Sequence, residues 1–225
     1  MDFKSFESAY HEVMTDNPNV CVFLGVDKGL GGLPDAKATA YQDKARKCQA
    51  LIDELALIDR KGLGSEQLLD LQLAELTLRK AVFEAKIEFN GQPDYEQRPT
   101  AGDDITDGIF FLFINDPRPA QARLDNITAR LFAVPVYLRQ LVSRLRNPVK
   151  RWADIDLEKV AGIPSLLDTL EDWAKASQYE QLGQFIEAKS KALVALEEYK
   201  VALGAMPTHA TFSIGEAAAR ELVKL

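Results

Sequence analysis

The chain has 225 residues, 34 acidic against 27 basic side chains, a net charge of −7 and a hydrophobic fraction of 47%. That balance suits a soluble globular protein, and its acidity opposes strong non-specific binding to nucleic acid or anionic membranes. With only two histidines (His11, His209) and two cysteines (Cys21, Cys48), it cannot be a disulfide scaffold and has few soft metal ligands to offer.

Phe3, Phe6, Tyr10 and Val13 or Met14 recur at helical spacing and predict a first helix that Asn17-Pro18 ends. The apolar segment Val20–Leu24 leads into a Gly-rich loop, Gly25 to Pro34. Ala38, Tyr41, Ala45, Cys48, Ile52, Leu55 and Leu57 or Ile58 mark a long second helix, closed by Lys61–Gly64. Ser65 opens a third in the manner of an N-cap, with Leu69, Leu73, Leu76, Lys80, Phe83 and Ile87 on one side and an end at Asn90-Gly91. Two helices joined by so short a link form a helical hairpin.

Residues 91–102 read as a polar loop, and Ile105–Ile114 as a short helix apolar enough to be almost wholly buried. After Asp116-Pro117-Arg118-Pro119 a long helix runs from Ala120 to Arg146. Pro135 lies in its interior, where proline costs about 3 kcal/mol, so a kink or break is expected near Leu131. Asp154–Ala174, with Gly162-Ile163-Pro164 suggesting a new start, and Tyr179–Leu203 supply further helices. Ser213 followed by Glu216 has the capping-box pattern and opens a last amphipathic helix towards Leu225. The fold expected is all-α: a single helical module over residues 1–225, an array of antiparallel hairpins with a Pro-kinked long helix.

Few residues carry candidate chemistry. His11-Glu12 begins a zincin-like pattern, but the second imidazole it needs four residues on is Thr15. Gly25, Gly29, Gly31 and Gly32 lack the following Lys-Ser/Thr of a phosphate loop and read as turn glycines that permit positive φ or close packing. Asp103, Asp104 and Asp107 suit the N-terminus of a helix, where negative charge complements the dipole. Arg139, Arg144, Arg146, Lys150 and Arg151 read as a solvated face. Cys21 and Cys48 read as buried small hydrophobes. No catalytic residue and no metal ligand is assigned. No stretch approaches the ~18 apolar residues of a membrane span, the start lacks a signal-peptide core, and a cytoplasmic protein is expected.

Several spaced motifs, taken together, resemble a family. They are Phe23-Leu24-Gly25-x-Asp27, Leu33-Pro34-Asp35, Ile58-Asp59, Arg130-x-x-x-x-Pro135-x-x-Leu138, Asn147-Pro148, Phe212-Ser213-Ile214-Gly215-Glu216 and Glu221-Leu222. In order and spacing they are similar to the N-terminal half of the bacterial family called domain of unknown function 885, over nearly the whole chain. The resemblance implies a helical, zinc-metallopeptidase-like hydrolase whose His-Glu-x-x-His-type signature lies in a C-terminal half beyond this sequence. Zinc would then belong to that half, with metal-activated water attacking an amide, and no cofactor is expected in this chain.

The function expected is therefore that of an N-terminal helical region forming a wall of the substrate channel and inactive alone. The rival reading is a stand-alone helical binding or scaffold module of unknown ligand. Asp27, Asp104 and Arg130 are the residues expected to touch substrate. The partner expected is the missing C-terminal half or another helical surface. An exposed apolar face would remain where it packs, with homodimerisation as a consequence.

Overall fold

The computed structural model describes residues 2–224; Met1 and the expected helix end at Leu225 lie outside them. The chain divides into two compact units. Unit 1 comprises residues 1–14, 38–97 and 211–225, and unit 2 comprises residues 15–37 and 98–210. The expected all-α class is what the chain adopts, apart from one two-stranded hairpin.

In unit 1, α1 (Phe3–Met14) packs on α3 (Ala38–Leu55), which pairs with α4 (Ser65–Lys86). The core is apolar, with Phe6 from α1, Cys48, Leu51 and Leu55 from α3, and Leu71, Ala74, Leu78 and Val82 from α4. On α4 the buried stripe is thus not the side marked by Leu69, Leu73 and Leu76, which are exposed. Leucines run round much of this helix, so periodicity alone admits two phases, and the packing partner chooses between them.

Asn90-Gly91 does not end α4. It is the two-residue turn of a hairpin joining β1 (Glu88–Phe89) to β2 (Gln92–Pro93), with φ of 55° and 73°. Positive φ at both central residues is the geometry that Asn-Gly favours in hairpins. Buried Gln97, in α5 (Asp94–Gln97), fastens the hairpin by donating to the carbonyls of Phe89 and Gln92. Residues 91–102, expected as loop, therefore hold β2, α5 and the start of the next helix. The last helix, α10 (Gly215–Lys224), starts without the expected capping box: Ser213 Oγ accepts from Gly215 N at 3.2 Å, while Glu216 pairs with Arg220.

Unit 2 contains α2 (Pro18–Leu24), α6 (Ala101–Ile114), α7 (Ala120–Arg144), α8 (Lys150–Ala176) and α9 (Leu182–Gly204). The apolar segment after Asn17 is thus a helix, capped by Asn17 Oδ1 accepting from Asn19 N at 2.8 Å. α7 packs along α9, and α6 packs against α2, α7 and α8. The buried face of α7 is Leu124, Ile127, Leu131, Val134, Leu138 and Leu141. That stripe holds α7 as one continuous helix through Pro135, with no break near Leu131. Likewise α8 runs unbroken through Gly162 and Pro164, where a second start was expected, because Val160, Ile163, Leu167 and Leu170 keep one buried phase across them.

α6 departs from expectation in two ways. It begins four residues before Ile105, because Gly102 lies so close to α8 that a Cβ would stand 2.4 Å from Lys159 Cβ. It is also not wholly buried, since Phe110 and Ile114 are 45% and 48% exposed. Only the Ala101, Ile105, Ile109, Leu112 side faces the core.

Candidate functional site

The three residues expected to touch substrate all fall in unit 2. Arg130 is fully buried on α7. Its Nε donates to Leu30 O at 2.6 Å, Nη1 to Asn19 Oδ1 at 2.6 Å and Nη2 to Pro18 O at 3.3 Å. No carboxylate takes part in these bonds, so backbone carbonyls and an amide do the solvating that water would otherwise do. Burial pulls the guanidinium down to about 10, which still leaves it charged at neutral pH. Room for it comes from Gly108 on α6, where a Cβ would stand 2.0 Å from Arg130 Nη1 and 2.4 Å from Asn19 Oδ1.

Farther along α7, Arg144 Nη1 donates to Ala36 O at 3.2 Å and Nη2 to Arg98 O at 3.1 Å. Arg144 is thus interior rather than part of a solvated basic face. Two arginines of one helix hold the Gly25–Lys37 loop at Leu30 and at Ala36. The glycines of that loop serve both purposes expected of them: Gly25 and Gly29 have φ of 69° and 65°, and Gly31 lies where a Cβ would meet Ala129 Cβ at 3.0 Å.

Asp104 sits in the first turns of α6 and accepts from Tyr137 Oη at 2.5 Å. Burial raises its pKa, against the pull of that hydrogen bond, of Thr100 and of Arg144. Its backbone carbonyl accepts from Asn19 Nδ2 at 2.9 Å, so Asn19 bridges Asp104 to Arg130. The structure therefore joins two of the three residues in one interior network. Asp27 stands apart on the loop, 88% exposed along its side chain and 3.9 Å from Arg118 Nη1, while Arg118 Nη2 grips Asp116 at 2.5 Å.

A second buried acid went unsuspected. Asp156 on α8 accepts from Tyr199 Oη at 2.5 Å and from Gly102 N at 2.8 Å. Burial raises its pKa, and burial together with the Asp156 charge drives the Tyr199 phenol up as well. The sequence does hold a signal for it. Ala153, Asp156, Val160, Ile163 and Leu167 share one helical phase, and a carboxylate on an otherwise apolar stripe needs interior partners.

His11 is exposed on α1. His209 uses its backbone, bridging the α8 entrance through His209 N to Pro148 O and Lys150 N to His209 O. Cys21 and Cys48 are both buried and form no disulfide. Among the described residues no group of three or more His, Cys, Asp or Glu side chains could hold a metal ion. No helix here is long and apolar enough to cross a membrane.

No curated protein matches the chain. Its fold is similar to the solved structure of "a putative lipoprotein of unknown function from Shewanella oneidensis", with a TM-score of 0.77 at 17% identity. The likeness covers 90% of this chain and 37% of that one, so the chain spans little more than a third of the longer protein. A family model for "bacterial protein of unknown function (DUF885)" matches residues 18–224, and the chain belongs to that family.

Proposed function

We propose that this chain is the helical, metal-free part of a DUF885 hydrolase, forming one wall of a substrate channel whose reacting groups lie on another part of the protein. The observation that carries this reading is the fate of the interior polar groups. Arg130, Arg144 and Asp156 each bond to groups of their own unit, which leaves them as fixings rather than reagents. What the two arginines fix is a surface: the Gly25–Lys37 loop, anchored from behind at Leu30 and Ala36, holds Asp27 out into solvent. A carboxylate on a rigid loop is suited to receive a cationic group of a substrate. The cytoplasmic setting, in keeping with two buried cysteines that form no disulfide, is part of the proposal.

Two measurements test it. Metal analysis of the purified chain, paired with a peptidase assay, should find neither stoichiometric zinc nor turnover; tight zinc with activity would overturn the reading. In a longer, active relative, replacing the residue aligned with Asp27 by Ala should raise KM about tenfold and leave kcat unchanged, the mark of lost ground-state binding. A fall in kcat alone would remove the loop from the channel wall.

A further inference from the structure

The outer face of the α7–α9 pair holds a trough that the interior network does not use. Small residues of α9, Ala195 and Ala202, lie opposite Pro135 of α7, and two hollows of ≈ 260 and ≈ 360 Å³ open there. They share Pro135, Arg139, Ala195 and Glu198, so they form one depression. Leu138 and Val142 floor the first hollow, and Val194 borders the second. Val194, on the border of the second hollow, is 59% exposed, and Phe132 of α7 lies beneath Lys191, whose Nζ is 5.2 Å from the ring centroid.

Charged side chains border both hollows: Lys191 of α9 lines the second, and one residue of each sign lines both. Arg139 of α7 and Glu198 of α9 line both hollows from opposite walls. Neither has an ion pair or side-chain hydrogen bond among the described residues, although neighbouring α9 charges pair along their own helix, Lys191 with Glu187 and Lys200 with Glu197. An apolar trough with one unpaired charge of each sign on its two rims is complementary to an amphipathic helix carrying an acid on one flank and a base on the other.

We propose that the α7–α9 trough is the docking site of such a helix, supplied by a partner. Its apolar stripe enters the two hollows, an acid meets Arg139 and a base meets Glu198. The lining residues of α9, 190 to 202, span about 18 Å at ~1.5 Å per residue, which accommodates three turns of the incoming helix. Both hollows are open to solvent along that length, so a helix covers them where a small molecule would leave most of its surface wet. The proposal is independent of the channel-wall reading, since it uses neither the Asp27 loop nor any hydrolytic chemistry.

The test uses a fluorescein-labelled synthetic helix of about four turns. It carries leucines at i, i+4, i+7 and i+11, a glutamate on one flank and a lysine on the other. Turning such a peptide end for end exchanges its flanks, so either charge arrangement has one docking direction that brings its glutamate to Arg139 and its lysine to Glu198. Anisotropy titration against the whole chain should give saturable binding that a scrambled peptide of the same composition lacks. Val194→Glu, at an exposed position that leaves the circular dichroism spectrum unchanged, should weaken binding about tenfold. Arg139→Glu should weaken it too, and a peptide with lysine in place of its glutamate should restore the affinity. No binding by the folded chain, equal binding of the scrambled peptide, or indifference to Val194→Glu overturns the proposal. Sedimentation that shows wild-type dimers and Val194→Glu monomers overturns it as well, by giving the trough to a second copy.

Discussion

Among the described residues the core of unit 1, from Phe6 through Cys48 and Leu51 to Leu78 and Val82, encloses no charged side chain, whereas unit 2 closes around Arg130, Arg144 and Asp156. Both are built from helices of similar apolar stripes, yet they constrain their sequences differently. An apolar core asks for volume and tolerates swaps that conserve it. A core with charged fixings asks for particular atoms, because each unmatched donor or acceptor left inside costs about 1–3 kcal/mol. Unit 2 therefore has its helices located by directed bonds as well as by packing. Amide hydrogen exchange reads each unit separately and can test that contrast.

The largest effect is expected at Asp156. Asp156→Ala leaves the buried Tyr199 hydroxyl and Gly102 N–H without their acceptor and should cost unit 2 about 4 kcal/mol. A loss under about 1 kcal/mol would break the contrast, since the acid would then be incidental to the core. Leu78→Ala in unit 1 should cost about 3 kcal/mol through transfer and cavity terms, and Leu78→Met under about 1.5 kcal/mol. Sensitivity to Leu78→Met comparable to that of Leu78→Ala would show that unit 1 is as exacting as unit 2.

Gly108→Ala sharpens the comparison. Its new Cβ would collide with the Arg130 guanidinium and should cost about 2 kcal/mol by overpacking. On an Arg130→Met background most of that penalty should vanish, a coupling that a double-mutant cycle measures directly. Additive costs would mean that Gly108 is required by something other than the arginine.

The smallest effect is in pH. Burial raises Asp104 and Asp156 in the folded state, so folded unit 2 binds more protons than the unfolded chain above the ordinary carboxylate range. Its stability should fall as pH rises through those elevated values. Asp116, lowered by its Arg118 hydrogen bond, acts with the opposite slope on the acid side. The difference between wild type and Asp156→Asn isolates the buried acid. A wild-type slope unchanged by Asp156→Asn would show that its proton is not linked to folding.

Most helices were legible because apolar spacing on α3, α7 and α9 is unambiguous, and Cys21 and Cys48 fell where small hydrophobes belong. The phase of α4 was not legible, since a helix with leucines on several sides leaves the choice to its neighbours. Pro164 misled for a related reason: the cost of a proline is local, but long buried stripes on either side outweigh it, and at Pro135 a stripe of the same kind excludes a break. Of the site, Arg130 stood out through its motif with Pro135 and Leu138, and Asp104 through the acidic cluster at the start of α6. Their joining through Asn19 did not, because that bridge links positions 85 and 111 residues apart.

The bond from Gly102 N to Asp156 has a further consequence, one for the order of assembly. Thr100 precedes α6 but makes no side-chain capping bond, so the carboxylate that satisfies the first turn of α6 comes from α8, 54 residues later. A helix whose N-terminus is completed by a distant segment cannot gain that stabilisation from local structure alone. The opening turn of α6 should therefore become ordered only once α8 has arrived, with low φ-values at Gly102 and Asp156 in refolding experiments.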